Sequence, residues 1–170
     1  MNVKILEVST DELKDALIRK GNKSELPSLH ENWRFNFVKH SKLPYSTAYV
    51  LVAEETPTVV EGCLIFQMKN KIVPYMAYVE VAPHNKGTSK IYDFVAGCLI
   101  AFAFKQSLAQ AKGDYKGQLF FDVKEEKEED TKKLMTLYSK KYYAKLLDEK
   151  TMVIIDDDGD RLIQEYLERP

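Results

Sequence analysis

The sequence predicts a single α/β (α+β) domain over residues 1–170, with a mixed, mostly antiparallel central sheet of about six to seven strands flanked by helices. Two observations predict this class. Three consecutive strand-like segments lie between residues 49 and 81 and are separated by short turns. A long apolar helix and a further strand follow them, which is the pattern of a parallel crossover connection. A chain of 170 residues is the usual length of one domain.

The segments before residue 47 predict one strand and two helices. Residues 2–8 are rich in β-branched and aliphatic side chains and form the first strand. Ser9 and Thr10 are followed by acidic residues, as at a helix start, so a helix is expected from there to about Lys20. Residues 29–40 place their apolar side chains near helical spacing and predict a second, short helix.

The central segments predict a hairpin, a third strand and a buried helix. Residues 49–53 and 58–68 flank a turn and form the hairpin, and residues 74–81 alternate in side-chain character as a half-buried strand does. Residues 91–111 are apolar over so much of the helical surface that this helix is expected to pack against the sheet. Residues 118–123 form the strand that completes a right-handed crossover.

The last third of the chain predicts two helices and a hairpin. The charged run 124–133 is expected on a solvated surface, with a helix beginning at about Asp130. Residues 146–155 form a hairpin, and the acidic run 156–160 is expected as a turn before a short terminal helix over 161–168. A calcium loop is disfavoured in that run, because its glycine would make Ile154 the first ligand.

The composition excludes some classes of protein. The 25 basic and 26 acidic residues nearly cancel, which argues against a dedicated nucleic-acid-binding protein, although a local basic patch stays open. The amino-terminal residues lack the pattern of a signal peptide, and no apolar run approaches the ~20 residues of a membrane span. Cys63 and Cys98 lie in apolar runs and are expected to be buried free thiols of a reducing compartment. A cytoplasmic protein without membrane partners is therefore expected.

The order of elements and the segment 78–87, YVEVAPHNKG, resemble the GNAT N-acetyltransferase superfamily over nearly the whole chain. In that family the loop after the fourth strand and the amino end of the next helix hold the pyrophosphate of acetyl-CoA. Unpaired backbone N–H groups and the helix dipole favour an anion there. The resemblance implies acetyl-CoA (CoA) as cofactor, with cofactor contacts from the loop and helix residues Asn85, Lys86, Gly87, Lys90 and Ala96.

The loop departs from the usual family pattern, in which Gln or Arg precedes two spaced glycines. In one alignment Gly87 takes the place of the first glycine, but Lys90 stands at the second. In another alignment Ala96 fits the start of the helix, while Phe94 replaces a glycine. The asparagine that many members place after the fifth strand is absent, since no asparagine follows Asn85.

The segment 137–144, LYSKKYYA, also resembles a family motif at the end of the fourth helix. The resemblance implies that the Tyr138 hydroxyl lies near the cofactor sulfur and reprotonates the leaving thiolate. A phenol with an ordinary pKa of about 10 can donate such a proton. The alternative is a core tyrosine, because Tyr138 shares an apolar stripe with Leu134 and Leu137.

The fourth strand carries the remaining expected site residues. By resemblance, the backbone of Val79 and Val81 contacts the pantetheine arm and the acetyl carbonyl. Glu80 is the one acid of this strand and is the expected base, directly or through water; the alternative is a strand-end carboxylate paired with a lysine. Tyr78 and Trp33 are expected to line the acceptor pocket, with simple packing as the alternative for both.

The sequence favours an acetyl-CoA-dependent N-acetyltransferase that acts on an amine of a small molecule or protein. The alternatives are a GNAT-fold binding or regulatory module without catalysis, and an unrelated α/β binding domain. No metal site is expected, because His30 and His40 have no partners at ligand spacing and the chain has no paired cysteine motif. The acceptor and the oligomeric state stay open.

Overall fold

The computed structural model describes all residues 1–170, and its strands form one nine-stranded sheet. The strands are β1 (Asn2–Glu7), β2 (Glu12–Lys20), β3 (Ser46–Ala53), β4 (Gly62–Lys69), β5 (Val73–Val81), β6 (Tyr92–Asp93), β7 (Gln118–Asp122), β8 (Lys145–Leu146) and β9 (Thr151–Ile155). The helices are α1 (Phe37–His40), α2 (Val95–Gln110), α3 (Glu128–Tyr142) and α4 (Asp156–Tyr166). The order across the sheet is β6-β1-β2-β3-β4-β5-β7-β9-β8.

This architecture confirms the predicted α/β class with a mixed, mostly antiparallel sheet. Every strand pair is antiparallel except β5 with β7, which is the parallel pair that the sequence predicts across the long helix. The expected six to seven strands are too few. The nine observed strands include β2, expected as a helix, and the two-residue strand β6, expected as part of a helix.

The first predicted helix is wrong, because residues 12–20 form strand β2. Asp11 has a φ of 56°, and Thr10 donates a hydrogen bond to the Glu7 carboxylate, so these residues make a hairpin turn instead of a helix cap. Ala16 and Ile18 are buried on one face in the alternation of a strand. Strand partners on both sides, β1 and β3, stabilise this conformation over the local helix preference.

The second predicted helix, over residues 29–40, is mostly irregular. Only a short 3₁₀ turn at Leu29–Glu31 and the single turn of α1 are helical. Asn32 ends the first turn in the left-handed region, with a φ of 63°. Trp33 and Phe37 are buried nonetheless, so this segment covers the sheet without forming the expected helix.

The later elements match the sequence more closely, with shifted boundaries. The predicted helix over 91–111 begins only at Val95, because Tyr92 and Asp93 pair with β1 as an edge strand. The predicted strand over 58–68 begins at Gly62. The acidic run 156–160 is the first part of α4 and not a turn, which places its carboxylates at the favourable amino end of the helix dipole.

The sheet carries an apolar cluster on each face. The larger cluster packs α2 and α4 on one face and includes Leu99, Phe104 and Tyr166. The smaller cluster lies on the other face, under the segment that contains Trp33 and Phe37. We call these the helix face and the loop face. No helix of the chain combines the length and the apolar character that spanning a membrane requires.

Candidate functional site

A cleft opens in the sheet between β5 and β7. The two strands are paired only at Tyr75 and Phe120, so the remaining backbone edge of β5 faces β7 without a ladder partner. The gap has a volume of about 540 Å³ and extends to the loop that follows β7. Unpaired backbone groups at a strand edge are free to bind an extended ligand through hydrogen bonds.

The walls of the cleft differ in chemistry. The floor is apolar and is built by side chains of α2, α3 and β7, namely Ile100, Phe121, Leu134, Leu137 and Tyr142. Charged side chains stand at the rim: Arg34, Lys86, Lys124, Glu125 and Asp122. A narrow apolar slot with polar groups at its ends is the usual form of a small-molecule site.

The cleft brings together most of the site residues that the sequence predicts. Its lining includes Tyr78, Val79, Glu80, Val81, Lys86, Ala96 and Tyr138. The other predicted residues, Asn85, Gly87, Lys90 and Trp33, do not line it. The consecutive residues of β5 contribute to both faces, because side chains of a strand alternate.

Glu80 lies at the end of the cleft and is only 7% exposed. Its Oε1 accepts hydrogen bonds from the Arg34 backbone N–H, at 2.8 Å, and from the Lys86 ammonium, at 2.5 Å. Its Oε2 accepts a hydrogen bond from the Phe35 backbone N–H at 3.0 Å. The carboxylate therefore anchors the segment around Arg34 and Phe35 to β5 and is paired with Lys86. One lone pair of Oε2 has no donor within the protein.

Tyr138 projects from α3 into the cleft beside Phe121, with the two ring centroids 4.9 Å apart. Burial, followed by the charge of Glu125, raises the pKa of Tyr138 to about 12. The phenol is consequently protonated at any physiological pH. It is free to donate a hydrogen bond into the cleft, because its hydroxyl has no partner within the protein.

The amino end of α2 lies at one end of the cleft, where Ala96 forms part of the lining. The N–H groups of Val95, Ala96 and Gly97 belong to the first turn and have no acceptor within the helix. Asp93 stands beside this turn, and its Oδ1 accepts a hydrogen bond from the Phe94 N–H at 2.7 Å. An acid at this point competes with any anionic ligand for the helix dipole.

Two lysines compensate for the charge of Asp93. The Lys90 ammonium binds Oδ2 of Asp93 at 2.6 Å, and Lys141 acts on the carboxylate from the end of α3. Burial alone would raise the pKa of Asp93. The hydrogen bonds from Lys90 and the Phe94 N–H and the charge of Lys141 outweigh burial, so the pKa of Asp93 lies below its ordinary value. The surroundings of the α2 amino end are therefore cationic overall.

Asn85 and Gly87 lie in the loop before α2 and serve different purposes there. The Asn85 amide is buried; it donates to the Glu61 carboxylate at 2.7 Å and accepts from the Tyr92 N–H at 2.9 Å. This network, to which His84 adds a contact with Glu61 at 2.5 Å, fixes the loop. Gly87 has a φ of 72° and open space around it, so it provides a turn that disfavours side chains.

Tyr78 and Trp33 occupy the loop face. Tyr78 stacks on the His40 ring with centroids 3.8 Å apart and lines the cleft. Trp33 is 7% exposed and packs edge-on against Phe37 in the smaller apolar cluster. Packing thus accounts for Trp33, while Tyr78 stands where an acceptor on the loop face would meet the cleft.

Sequence reasoning missed the ion pair that closes one end of the cleft. The Arg34 guanidinium binds both oxygens of the Glu125 carboxylate, each at 2.8 Å, and thereby joins the loop-face segment to the loop after β7. Hydrogen bonding to Glu125 raises the pKa of Arg34. The two residues are 91 positions apart, so no local pattern signals their contact. Lys141 was missed for the same reason.

No protein-family model matches the sequence, and no curated protein matches it. Solved structures do match. Spermidine N-acetyltransferase SpeG from Vibrio cholerae in complex with CoA and spermine is 14% identical, with a TM-score of 0.54 over 85% of this chain and 97% of that chain. A GNAT-family acetyltransferase from Listeria monocytogenes is 11% identical, with a TM-score of 0.56 over 90% and 99% of the two chains.

A third solved structure, AtaTR bound with AcCoA, is 13% identical, with a TM-score of 0.56 over 87% of this chain and 98% of that chain. At such identities the three likenesses establish the fold of the chain.

Proposed function

We propose that this chain, which has the GNAT fold, is an acetyl-CoA-dependent N-acetyltransferase that acts on an amine of a small molecule or protein. The observation that carries this proposal is the cleft between β5 and β7, with an unpaired strand edge along one side and the amino end of α2 at one end. Two of the similar structures hold CoA or AcCoA. The fold and the cleft together support the same class of donor here.

The residues of the cleft fit an acyl-CoA. The backbone edge at Val79 and Val81 offers hydrogen bonds to an extended amide-containing arm, and the apolar floor suits its methylene groups. The first turn of α2, with Lys86, Lys90 and Lys141 nearby, suits a pyrophosphate. Asp93 is the one feature that opposes an anion, and its charge is offset by Lys90 and Lys141. Asn85 and Gly87 support the site by shaping the loop.

Acetyl-CoA supplies the acetyl group as a thioester. In the reaction the acceptor ammonium first loses a proton, the neutral nitrogen forms a bond to the acetyl carbon, and the carbon–sulfur bond breaks. The nitrogen then loses its second proton, and the thiolate takes up one proton. Glu80, directly or through water at the free lone pair of Oε2, is the proposed proton acceptor.

Tyr138 is the proposed hydrogen-bond donor to the thiolate. Its pKa of about 12 lies above that of an ordinary thiol, about 8.5, so complete proton transfer from the phenol is uphill. A hydrogen bond from the phenol to the developing negative charge on sulfur requires no proton transfer, and it is strong in a site that excludes water. Tyr138 therefore stabilises the leaving group, and the proton finally reaches the sulfur from solvent or through the phenol.

A second function, a GNAT-fold binding or regulatory module without catalysis, is favoured by one specific observation. The carboxylate of Glu80 already accepts three hydrogen bonds that anchor the chain, so its contacts are accounted for by a structural role. Such a module would bind neither CoA compound, so the same experiment separates the two functions.

The two cysteines are free and buried, as is typical of a reducing compartment, and we include a cytoplasmic location in the proposal.

Calorimetric titration with acetyl-CoA and CoA tests the proposal. We expect a dissociation constant in the micromolar range, about −8 kcal/mol. The Ala96→Asp variant should weaken binding at least tenfold, because a carboxylate would face the phosphates, while the helix tolerates an acid in its first turn. Ala109→Asp, about 20 Å further along the same helix, is the control and should bind normally. Absence of binding at millimolar ligand would contradict the proposal.

A further inference from the structure

A surface without acidic residues borders the cleft on the loop face. The stretches 36–53 and 62–79 contain no Asp or Glu, although 26 acids are distributed over the chain. They form α1, β3, β4 and most of β5. Their exposed lysines make no ion pair, and we call them the basic surface: Lys39, Lys42, Lys69 and Lys71.

The basic surface reaches the end of the cleft at Tyr75, which we call the mouth, through aromatic side chains. The Lys69 ammonium lies 4.5 Å from the ring centroid of Tyr75, and Tyr75 lines the cleft. The Lys71 ammonium lies 5.1 Å from the ring of Tyr45, which is 57% exposed. These contacts place two lysine ammonium groups over one partly buried ring, Tyr75, and one exposed ring, Tyr45, near the hairpin between β4 and β5.

Each acid that lines the cleft already has a hydrogen-bond or ion-pair partner within the protein. Glu80 is paired with Lys86, and Glu125 is paired with Arg34. His40 stacks on Tyr78 and carries no negative charge. Burial, followed by the charge of Lys39, lowers the pKa of His40. Asp122 on β7 accepts a hydrogen bond from Thr151, and it lies beside Tyr75, where burial followed by the charge of Asp122 raises the pKa of the Tyr75 phenol.

We infer that the acceptor is a primary amine that also carries a phosphate or carboxylate group, with the anionic group over the basic surface and the amine inside the cleft, towards Glu80. This inference rests on the proposed N-acetyltransferase function and names its substrate class. Lysine ammonium groups bind phosphates and carboxylates as point charges. A polyamine would instead place further positive charge against four lysines that form no ion pair, which is unfavourable.

A matched series of four amines tests the inference: hexylamine, 1,6-diaminohexane, 6-aminohexanoate and 6-aminohexyl phosphate. The compounds share one amine and one chain and differ only in the charge of the distal group. We expect kcat/KM for acetyl transfer to be at least tenfold higher for an anionic amine than for hexylamine, and lowest for the diamine. The carboxylate and phosphate compounds show which anion is preferred. The preference should decrease at higher ionic strength.

Lysine variants show which residues cause the preference for anionic amines. The double variant Lys69→Gln/Lys71→Gln should abolish the preference for the anionic amines. Lys132→Gln/Lys133→Gln is the control, because it removes two lysines of α3 that pair with Glu128 and Glu129 on the solvent side. A diamine that reacts as well as the anionic amines would overturn the inference. So would a preference that survives the Lys69 and Lys71 changes.

Failure of the inference and failure of the proposed function have different signatures. If no amine is acetylated and acetyl-CoA does not bind, the proposed function fails. In that case an NMR titration of the protein with 6-aminohexyl phosphate decides the inference independently. Shifts of the Lys69 and Lys71 amides that 1,6-diaminohexane does not cause would support an anion-selective surface, and unshifted amides would overturn it.

Discussion

At the scale of single residues, Tyr138 is the most direct probe of the chemistry. Its hydroxyl has no partner in the protein, and its pKa of about 12 keeps it protonated. The Tyr138→Phe variant should lower kcat by about 100-fold, at the low end for acid catalysis, because a phenol this weak acts mainly through a hydrogen bond. Binding of acetyl-CoA should change little, which calorimetry and steady-state kinetics can measure together.

The neighbouring tyrosine supplies the control for that prediction. Tyr143 bonds to Glu165 at 2.9 Å and does not line the cleft, so Tyr143→Phe should leave kcat unchanged. The pH profile adds a second criterion. Since Tyr138 loses its proton only near pH 12, kcat should show no loss from its ionisation below about pH 10. Equal kcat for wild type and Tyr138→Phe would remove this residue from the mechanism.

Glu80 joins stability to function, because its carboxylate accepts two backbone N–H groups and an ammonium. Gln offers one acceptor oxygen instead of two, so one backbone N–H loses its partner. Glu80→Gln should therefore lower the free energy of unfolding by about 1–3 kcal/mol, measured by urea denaturation. Lys86→Gln removes only a partly exposed ammonium and should cost less than about 1 kcal/mol. A Glu80→Gln variant of unchanged stability would show that the anchoring role is wrong.

At the scale of elements, the crossing of α2 and α4 depends on two glycines. A Cβ atom built on Gly97 would lie 2.1 Å from the Tyr166 ring, and one built on Gly159 would lie 2.0 Å from the Phe104 ring. Both rings are buried. The close approach of the two helices therefore requires the missing side chains.

The Gly159→Ala variant tests this packing. Alanine favours a helix over glycine by about 1 kcal/mol, but forcing a methyl group into a packed core costs about 1–3 kcal/mol. We expect net destabilisation and a lower midpoint of thermal unfolding. Asp160→Ala, at an exposed position of the same helix, is the control and should not destabilise the protein comparably. A Gly159→Ala variant more stable than wild type would contradict the packing described here.

The elements also show where local patterns suffice. The strands β3 to β5 and the helices α2 and α3 follow from local sequence patterns, and they lie close to the predicted positions. Residues 12–20 do not, since Ser9, Thr10 and Asp11 suit a helix cap and a hairpin turn equally well. The pairing of β2 with both β1 and β3 decides between these, and that information lies elsewhere in the chain.

At the scale of the whole molecule, the site is partly local and partly assembled from distant segments. Tyr78, Val79, Glu80 and Val81 are consecutive on β5, and the family resemblance, applied to that strand, predicts a site at the place where they line the cleft. Arg34 and Glu125 reach the cleft from two other parts of the chain, and Lys141 acts on Asp93 near the amino end of α2; only the fold shows these contacts. Lys90 and Asn85 were expected at the cofactor, but their side chains bind Asp93 and Glu61.

The central claim is that a CoA compound lies in the cleft between β5 and β7, and NMR mapping with CoA tests it most directly. At 19.6 kDa the protein is small enough for amide assignments. We expect CoA to shift the amides of Val79 and Val81 on β5 and of Val95, Ala96 and Gly97 in the first turn of α2. Saturable shifts confined to other surfaces, with these amides unmoved, would contradict it.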